Sequence, residues 1–362
     1  MEETLNKGLK IAMVAPVPPP YGGIGNWVLM LDNYVKNDDS VEFVHINTAP
    51  VSRGLDGRSL WDRVVTQGLM MLKKRKELLK AIKEQKLDAV HITTSGQLAI
   101  IRDILMLKAC KKKNVRSIYH IRFGRIPEIA KANTTEWKLM RVALKLADCV
   151  IAIDTTTQKA IQEFLPYVNV CNIPNPFNLD TVSLENISQN KEIVYIGWVI
   201  KTKGMEELLP AFEKVSKKNP DWCLRIVGPY SEEYKKHLED NFSTSKVIFE
   251  GEKSHDEAME LLKGAGIFIL PSHTEGFPNV VLEAMAHKKP IIATDVGAIP
   301  DIIKDCGILI RNKNQEDIEK ALEKLINDKE LRESLGQEAR KKLEESYSLD
   351  IVMQRYREEW SK

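Results

Sequence analysis

Short apolar runs alternate with longer amphipathic stretches along the chain, and the two periods predict different elements. In the first half, runs at Lys10–Ala15, Val41–Ile46, Ala89–Thr93, Ser117–Ile121 and Cys149–Ile153 read as strands. Stretches with helical spacing cover Gly25–Lys36, Leu60–Gln85, Leu98–Lys113, Thr135–Ala147 and Thr156–Leu165. The second half repeats the scheme. Its strands are expected at Ile193–Ile196, Trp222–Val227, Val247–Glu250, Ile267–Leu270, Pro290–Thr294 and Gly307–Ile310. Its helices are expected at Gly204–Lys218, Ser231–Asn241, Ser254–Lys263, Asn279–His287 and Gln315–Asn327. Short strands alternating with much longer helices describe βαβ units on a parallel sheet. The proline-punctuated segment Ile173-Pro-Asn-Pro-Phe-Asn178 separates the two series. The pattern thus predicts an α/β chain with domains at 1–178 and 179–345. A last amphipathic segment, 346–362, carries Ile351, Met353, Tyr356 and Trp360 and is expected to pack back on the first domain. Two such sheets facing across a cleft would bind ligands outside the carboxyl ends of their strands.

A length of 362 residues agrees with two domains, because single cores stop growing near 250–300 residues. The five cysteines are widely spaced and form no CxxC pair, which argues against a disulfide framework or a zinc site. Met1-Glu-Glu-Thr is acidic and the apolar run Ile11–Val17 is short, so no secretory leader is expected. No run of about 18 apolar residues predicts a membrane span. A cytoplasmic protein is expected, with peripheral attachment at the inner face of the membrane left open. Charge is distributed unevenly. Residues 1–185 carry 26 basic and 19 acidic side chains, and 186–362 carry 27 and 32. The basic stretches Met71–Lys80 and Lys111–Lys113 could attract anionic headgroups or an acidic glycan, or could simply be solvated helix faces. They lack interleaved aromatics, so nucleic acid is not an expected partner.

The most informative segment is Leu270-Pro-Ser-His-Thr-Glu-Gly-Phe-Pro-Asn-Val-Val-Leu-Glu283. It reads as strand, loop, then a helix opening near Asn279. Unpaired N–H groups at a helix start attract anions, so a diphosphate could dock around Gly276–Val280. Glu275 and Glu283 flank that position as hydroxyl acceptors; the plainer alternative is one solvated and one salt-bridged glutamate. Tyr195-Ile-Gly-Trp-Val-Ile-Lys-Thr-Lys-Gly204 repeats the strand–turn–helix scheme, with Lys203 able to reach a phosphate. A third glycine turn, Tyr21-Gly-Gly-Ile-Gly25, is neither a dinucleotide fingerprint nor a P-loop. Lone His273 has no partner for a metal, and His91 reads as structural.

These motifs together resemble glycosyltransferase family 4, the retaining enzymes of GT-B fold with two Rossmann-like domains. The resemblance rests on Glu275-x7-Glu283 within EGFPNVVLEAMA, on Pro290–Pro300, on Gly197 with Lys203-Gly204, and on Gly228, Gly22-Gly23 and Asn175-Pro176. It implies a hexosyltransferase moving sugar from a nucleotide-sugar to a glycan or lipid-linked acceptor, as in polysaccharide biosynthesis. No cofactor and no metal are implied. By the resemblance, Glu283 would bind ribose hydroxyls and Glu275 the donor sugar, helped by Gly276, Phe277, Pro278 and Asn279. Lys203 would hold the diphosphate beside Gly197, with Gly22 and Gly23 closing over it. Val280 would shape the nucleoside pocket and Gly228 lie near the base. His120 would orient the sugar, although strand alternation gives Arg122 the same face and leaves that choice open. Trp198 stands where the family usually has arginine; Arg122 or Arg125 would then contact phosphate or acceptor. Two rival classes remain: a sugar-nucleotide epimerase of the same fold, and a non-catalytic sugar-nucleotide binder.

Overall fold

A computed structural model describes residues 8–19, 22–49, 60–185, 187, 190–243 and 245–362, with the side chains of 60–67 excepted. Tyr21 of the first glycine turn and the start Met1-Glu-Glu-Thr lie outside the described residues. The chain divides into two compact units: Met1–Pro176 with Val352–Lys362, and Phe177–Ile351. The first boundary falls two residues before the expected one.

Unit 1 holds strands β1 (Leu9–Ala15), β2 (Val41–Asn47), β3 (Ala89–Thr94), β4 (Arg116–Ile121), β5 (Cys149–Ala152) and β6 (Val170–Asn172). They form one parallel sheet in the order β2-β1-β3-β4-β5-β6. Its helices are α1 (Gly23–Val35), α2 (Leu60–Gln85), α3 (Ala99–Lys113), α4 (Ile126–Lys131), α5 (Thr135–Leu146) and α6 (Thr155–Phe164). Side chains start two of them: Thr134 accepts from Trp137 N, and Asp154 from Thr157 N.

Unit 2 holds β7 (Asn190–Ile196), β8 (Cys223–Val227), β9 (Val247–Gly251), β10 (Ala265–Leu270), β11 (Ile291–Thr294) and β12 (Ile308–Ile310). Their order is β12-β11-β10-β7-β8-β9, again parallel. The helices are α7 (Met205–Lys218), α8 (Glu232–Asn241), α9 (His255–Gly264), α10 (Asn279–Ala286), α11 (Ile299–Ile303), α12 (Gln315–Asn327) and α13 (Lys329–Ser346). β10 is buried at every position, as a central strand covered on both faces should be. α12 buries Ile318, Ala321, Leu322, Leu325 and Ile326, one helical stripe. α9 opens with a capping box made by Ser254 and Glu257.

A final helix, α14 (Leu349–Ser361), returns the chain to unit 1. Its Tyr356 and Trp360 are fully buried there.

The β6 strand and helices α4, α11 and α13 were not expected. α13 is charged and contains Gly336, which weakens a helical pattern. That glycine is required by packing: a Cβ there would lie 2.1 Å from the Lys288 carbonyl oxygen.

Candidate functional site

In unit 2 the chain leaves β7 toward β8 on one side and crosses to β10 on the other. Such a switch point opens a crevice at the carboxyl ends of the strands. A pocket of about 470 Å³ lies there, lined by the ends of β7, β8 and β10.

Glycines bring its walls together. Gly204 has φ +76° and caps the turn Lys201–Lys203, and a Cβ on it would stand 2.1 Å from the Pro271 carbonyl oxygen. The turn therefore presses against the loop after β10. His273 N donates to the Thr202 carbonyl at 2.9 Å, and the His273 ring meets Glu207 Oε2 at 3.0 Å. The docked turn carries Lys203 to Glu275, with Nζ 2.5 Å from Oε1. Both side chains are largely buried, 22% and 12% exposed. Gly228 permits a second close approach, because a Cβ on it would sit 2.0 Å from the Gly197 oxygen.

The Glu275 loop leads into α10. Pro278 precedes that helix, no side chain caps it, and its first turn holds no acid. Its amino end is thus an electropositive terminus. One turn in, burial raises the Glu283 carboxyl above the usual carboxylate range, opposed by His255 at 4.0 Å.

Seven expected residues line this pocket: Gly197, Lys203, Gly228, Glu275, Pro278, Val280 and Glu283. Gly276, Phe277 and Asn279 are not among its lining. Gly276 instead accepts from Ala298 N at 2.9 Å, and Phe277 packs toward Tyr347, ring centroids 6.3 Å apart. Sequence reasoning missed Lys253, His255 and Met259, which also line it. They follow β9, and the strand–turn–helix rule applied at β7 and β10 would have found them. Trp198, 64% exposed, lines the pocket as well.

Unit 1 treats its expected residues differently. His120 is wholly buried on β4. The Trp360 indole, a donor only, gives its proton to His91 Nδ1 at 3.0 Å. His91 must then carry its own proton on Nε2 and donate to His120 Nδ1, also at 3.0 Å. His120 is left with its proton on Nε2. Burial lowers the pKa of both rings, with Arg122 adding to the effect; His91 falls to about 3 and His120 well below its ordinary value. The pair is a neutral core element among the rings of Trp27, Tyr356 and Trp360. His91 is structural, as its sequence context suggested.

Arg122 lies over the Trp27 ring, 4.4 Å from its centroid, and burial pushes its pKa down to about 10. Arg125 is committed to Glu136 through two hydrogen bonds of 3.1 and 3.2 Å. Gly22 precedes α1 and Gly23 opens it; a Cβ on either meets no described atom within 4 Å. Packing among the described residues therefore does not require glycine there.

Among the described residues, one trio has metal-ligand spacing: Cys149, Cys171 and Glu359 in unit 1. The two sulfurs are 3.5 Å apart, and Glu359 is already paired with Arg116 and Lys362. No described helix is long and apolar enough to cross a membrane.

Residues 180–342 match the family model described as glycosyl transferases group 1. An uncharacterized glycosyltransferase of Haemophilus influenzae is 28% identical over 79% of this chain and 78% of its own length. The capsular polysaccharide biosynthesis glycosyltransferase CapM of Staphylococcus aureus is 31% identical over 49% of this chain and 48% of its own. Among solved structures, Anabaena HepE in complex with UDP superposes with a TM-score of 0.73. It is 17% identical and covers 97% of this chain and 99% of that one. Two parallel six-stranded sheets with this likeness define a GT-B fold. Over residues 180–342, which fall in unit 2, the chain is similar to the group 1 glycosyl transferases.

Proposed function

We propose that this enzyme transfers a sugar, with retention and without a metal, from a nucleoside diphosphate donor to a glycan or lipid-linked acceptor. The observation that carries the reading is the Lys203–Glu275 contact of 2.5 Å, made in the pocket that Glu283 also lines. A free ammonium at a phosphate site would be hydrated. Here it is stored on a carboxylate that the donor must displace. The diphosphate takes over Lys203, and Glu275 is released to accept from sugar hydroxyls. Glu283 accepts from the ribose. The α10 terminus adds fixed positive potential as charge builds on the leaving phosphate. The sugar C1–O bond to phosphate breaks while the acceptor oxygen bonds C1 on the same face. The acceptor proton passes to the departing phosphate oxygen. Gly22, Gly23 and Arg122 are assigned to an anionic substrate group on unit 1. The relatives support the donor class: HepE was solved with UDP.

A membrane-bound acceptor is supported by the surface of unit 1. Leu69 and Leu72 on α2, Leu98 just before α3 and Ile101 on α3 are exposed. Beside them a pocket of about 160 Å³ is lined by Met70, Met71, Lys74 and Arg102. Apolar side chains rimmed by cations suit an anionic bilayer surface.

Thermal-shift screening with UDP, GDP and ADP tests the donor site, since a ligand of the folded state raises Tm. Inversion of anomeric configuration in the product by NMR, or loss of turnover in EDTA, would remove retention or metal independence respectively. Salt-insensitive failure to float with anionic vesicles would remove the membrane contact.

A further inference from the structure

Trp198 is an exposed aromatic beside the buried charged groups of this pocket, whose lining also includes the exposed Glu252, Lys253 and His255. It is 64% exposed, whereas Lys203, Glu275 and Glu283 are 22%, 12% and 19% exposed. The other described tryptophans, 27, 137, 222 and 360, are at most 4% exposed. Its backbone is nevertheless held at three points. Gly197 N donates to the Val227 carbonyl and Val199 N to that of Pro229, both at 2.9 Å. The Tyr195 hydroxyl donates to the Trp198 carbonyl oxygen at 2.7 Å. Val199 is fully buried while Trp198 and Ile200 (42% exposed) point outward on either side of it. An extended segment puts alternate residues on one side. The two side chains make an apolar lip, of which Trp198 lines the pocket.

A solvent-facing aromatic on a fixed backbone is a stacking surface awaiting a ring. The deep positions belong to the nucleotide and donor sugar. Trp198 is far more exposed than Lys203, Glu275 and Glu283, so it stays open to a further substrate. We propose that the Trp198 indole stacks on a pyranose ring of the acceptor, making the acceptor a glycan, and that this residue sets acceptor specificity. This rests on the donor-site reading above and extends it to the second substrate.

Iodide quenching of tryptophan emission tests it, with the difference between wild type and W198F isolating this indole. The protein is loaded with UDP and titrated with methyl glycosides of glucose, galactose and N-acetylglucosamine at millimolar concentrations. At least one pyranoside is expected to shield Trp198. W198L should bind that pyranoside about five- to tenfold more weakly, and W198F should recover most of the loss. UDP affinity, read by thermal shift, should change by no more than about twofold in either variant, since truncation removes only the acceptor stack. If no pyranoside shields the indole, the proposal is wrong. If UDP alone shields it and W198L loses about tenfold in UDP affinity, the ring stacks on the nucleotide and the proposal is also wrong. If UDP fails to shift wild-type Tm, the donor reading falls, whereas pyranoside shielding measured without nucleotide still decides the lip.

Discussion

The two units are built by one rule and use their titratable side chains in opposite ways. Each is a six-stranded parallel sheet, with strand orders that reverse at β1/β3 and at β7/β10. In unit 1 a returning helix lays Tyr356 and Trp360 over His91 and His120, and burial keeps both imidazoles neutral. In unit 2 the ends of β7, β8 and β10 line an open pocket, where a lysine and a glutamate pair with each other. A histidine at a strand and a lysine at a turn look equally functional in a sequence. What covers them separates structure from chemistry.

Lys203→Ala is expected to break that contrast most severely. It removes the phosphate-neutralising charge, and donor turnover should fall about 10²- to 10³-fold while the melting temperature barely moves. A loss of both in parallel would make Lys203 a structural residue.

Acid should act on unit 1. The folded pKa of His91, about 3, lies below its ordinary value of 6.5, so the unfolded chain binds the proton first as pH falls. Stability present above pH 6.5 is then lost on acidification down to pH 3. At pH 5 the His91 imidazole costs about 2 kcal/mol. Hydrogen-exchange opening energies of β3 and β4 amides should drop between pH 7 and 5. Equal drops at β7 and β10 would contradict the assignment.

Glu283→Gln should weaken binding of a ribonucleoside diphosphate about tenfold, with little change for the 2′,3′-dideoxy analogue. Calorimetric titration of both nucleotides checks it; an equal loss for the two would move Glu283 off the ribose. The smallest effect belongs to Arg125→Ala. Its pair with Glu136 is 46% exposed on the arginine side, worth at most about 1 kcal/mol. Turnover should change less than about twofold, and a larger fall would return Arg125 to the substrate.

Much of this was legible in residue order. The β7 and β10 turns stood out because glycine, proline and charged residues follow short apolar runs there. Spacing could pair Lys203 with the Glu275 loop only as a resemblance; the contact itself needs Gly204 pressed on Pro271, a relation across 67 residues that local pattern does not carry. The burial of His120 was hidden for the same reason. Strand alternation gives a face, and the helix that seals that face comes more than 220 residues later. α13 escaped because its buried residues include Arg332 and Gly336, neither of which marks an apolar stripe.

The route of the chain also orders its synthesis. Unit 1 begins at the first strand, yet Tyr356 and Trp360 leave the ribosome only after every strand of unit 2. Until then the imidazole pair lacks its aromatic roof, and the half made first matures last. A nascent chain would therefore own a complete second unit while its first unit waited for its last helix.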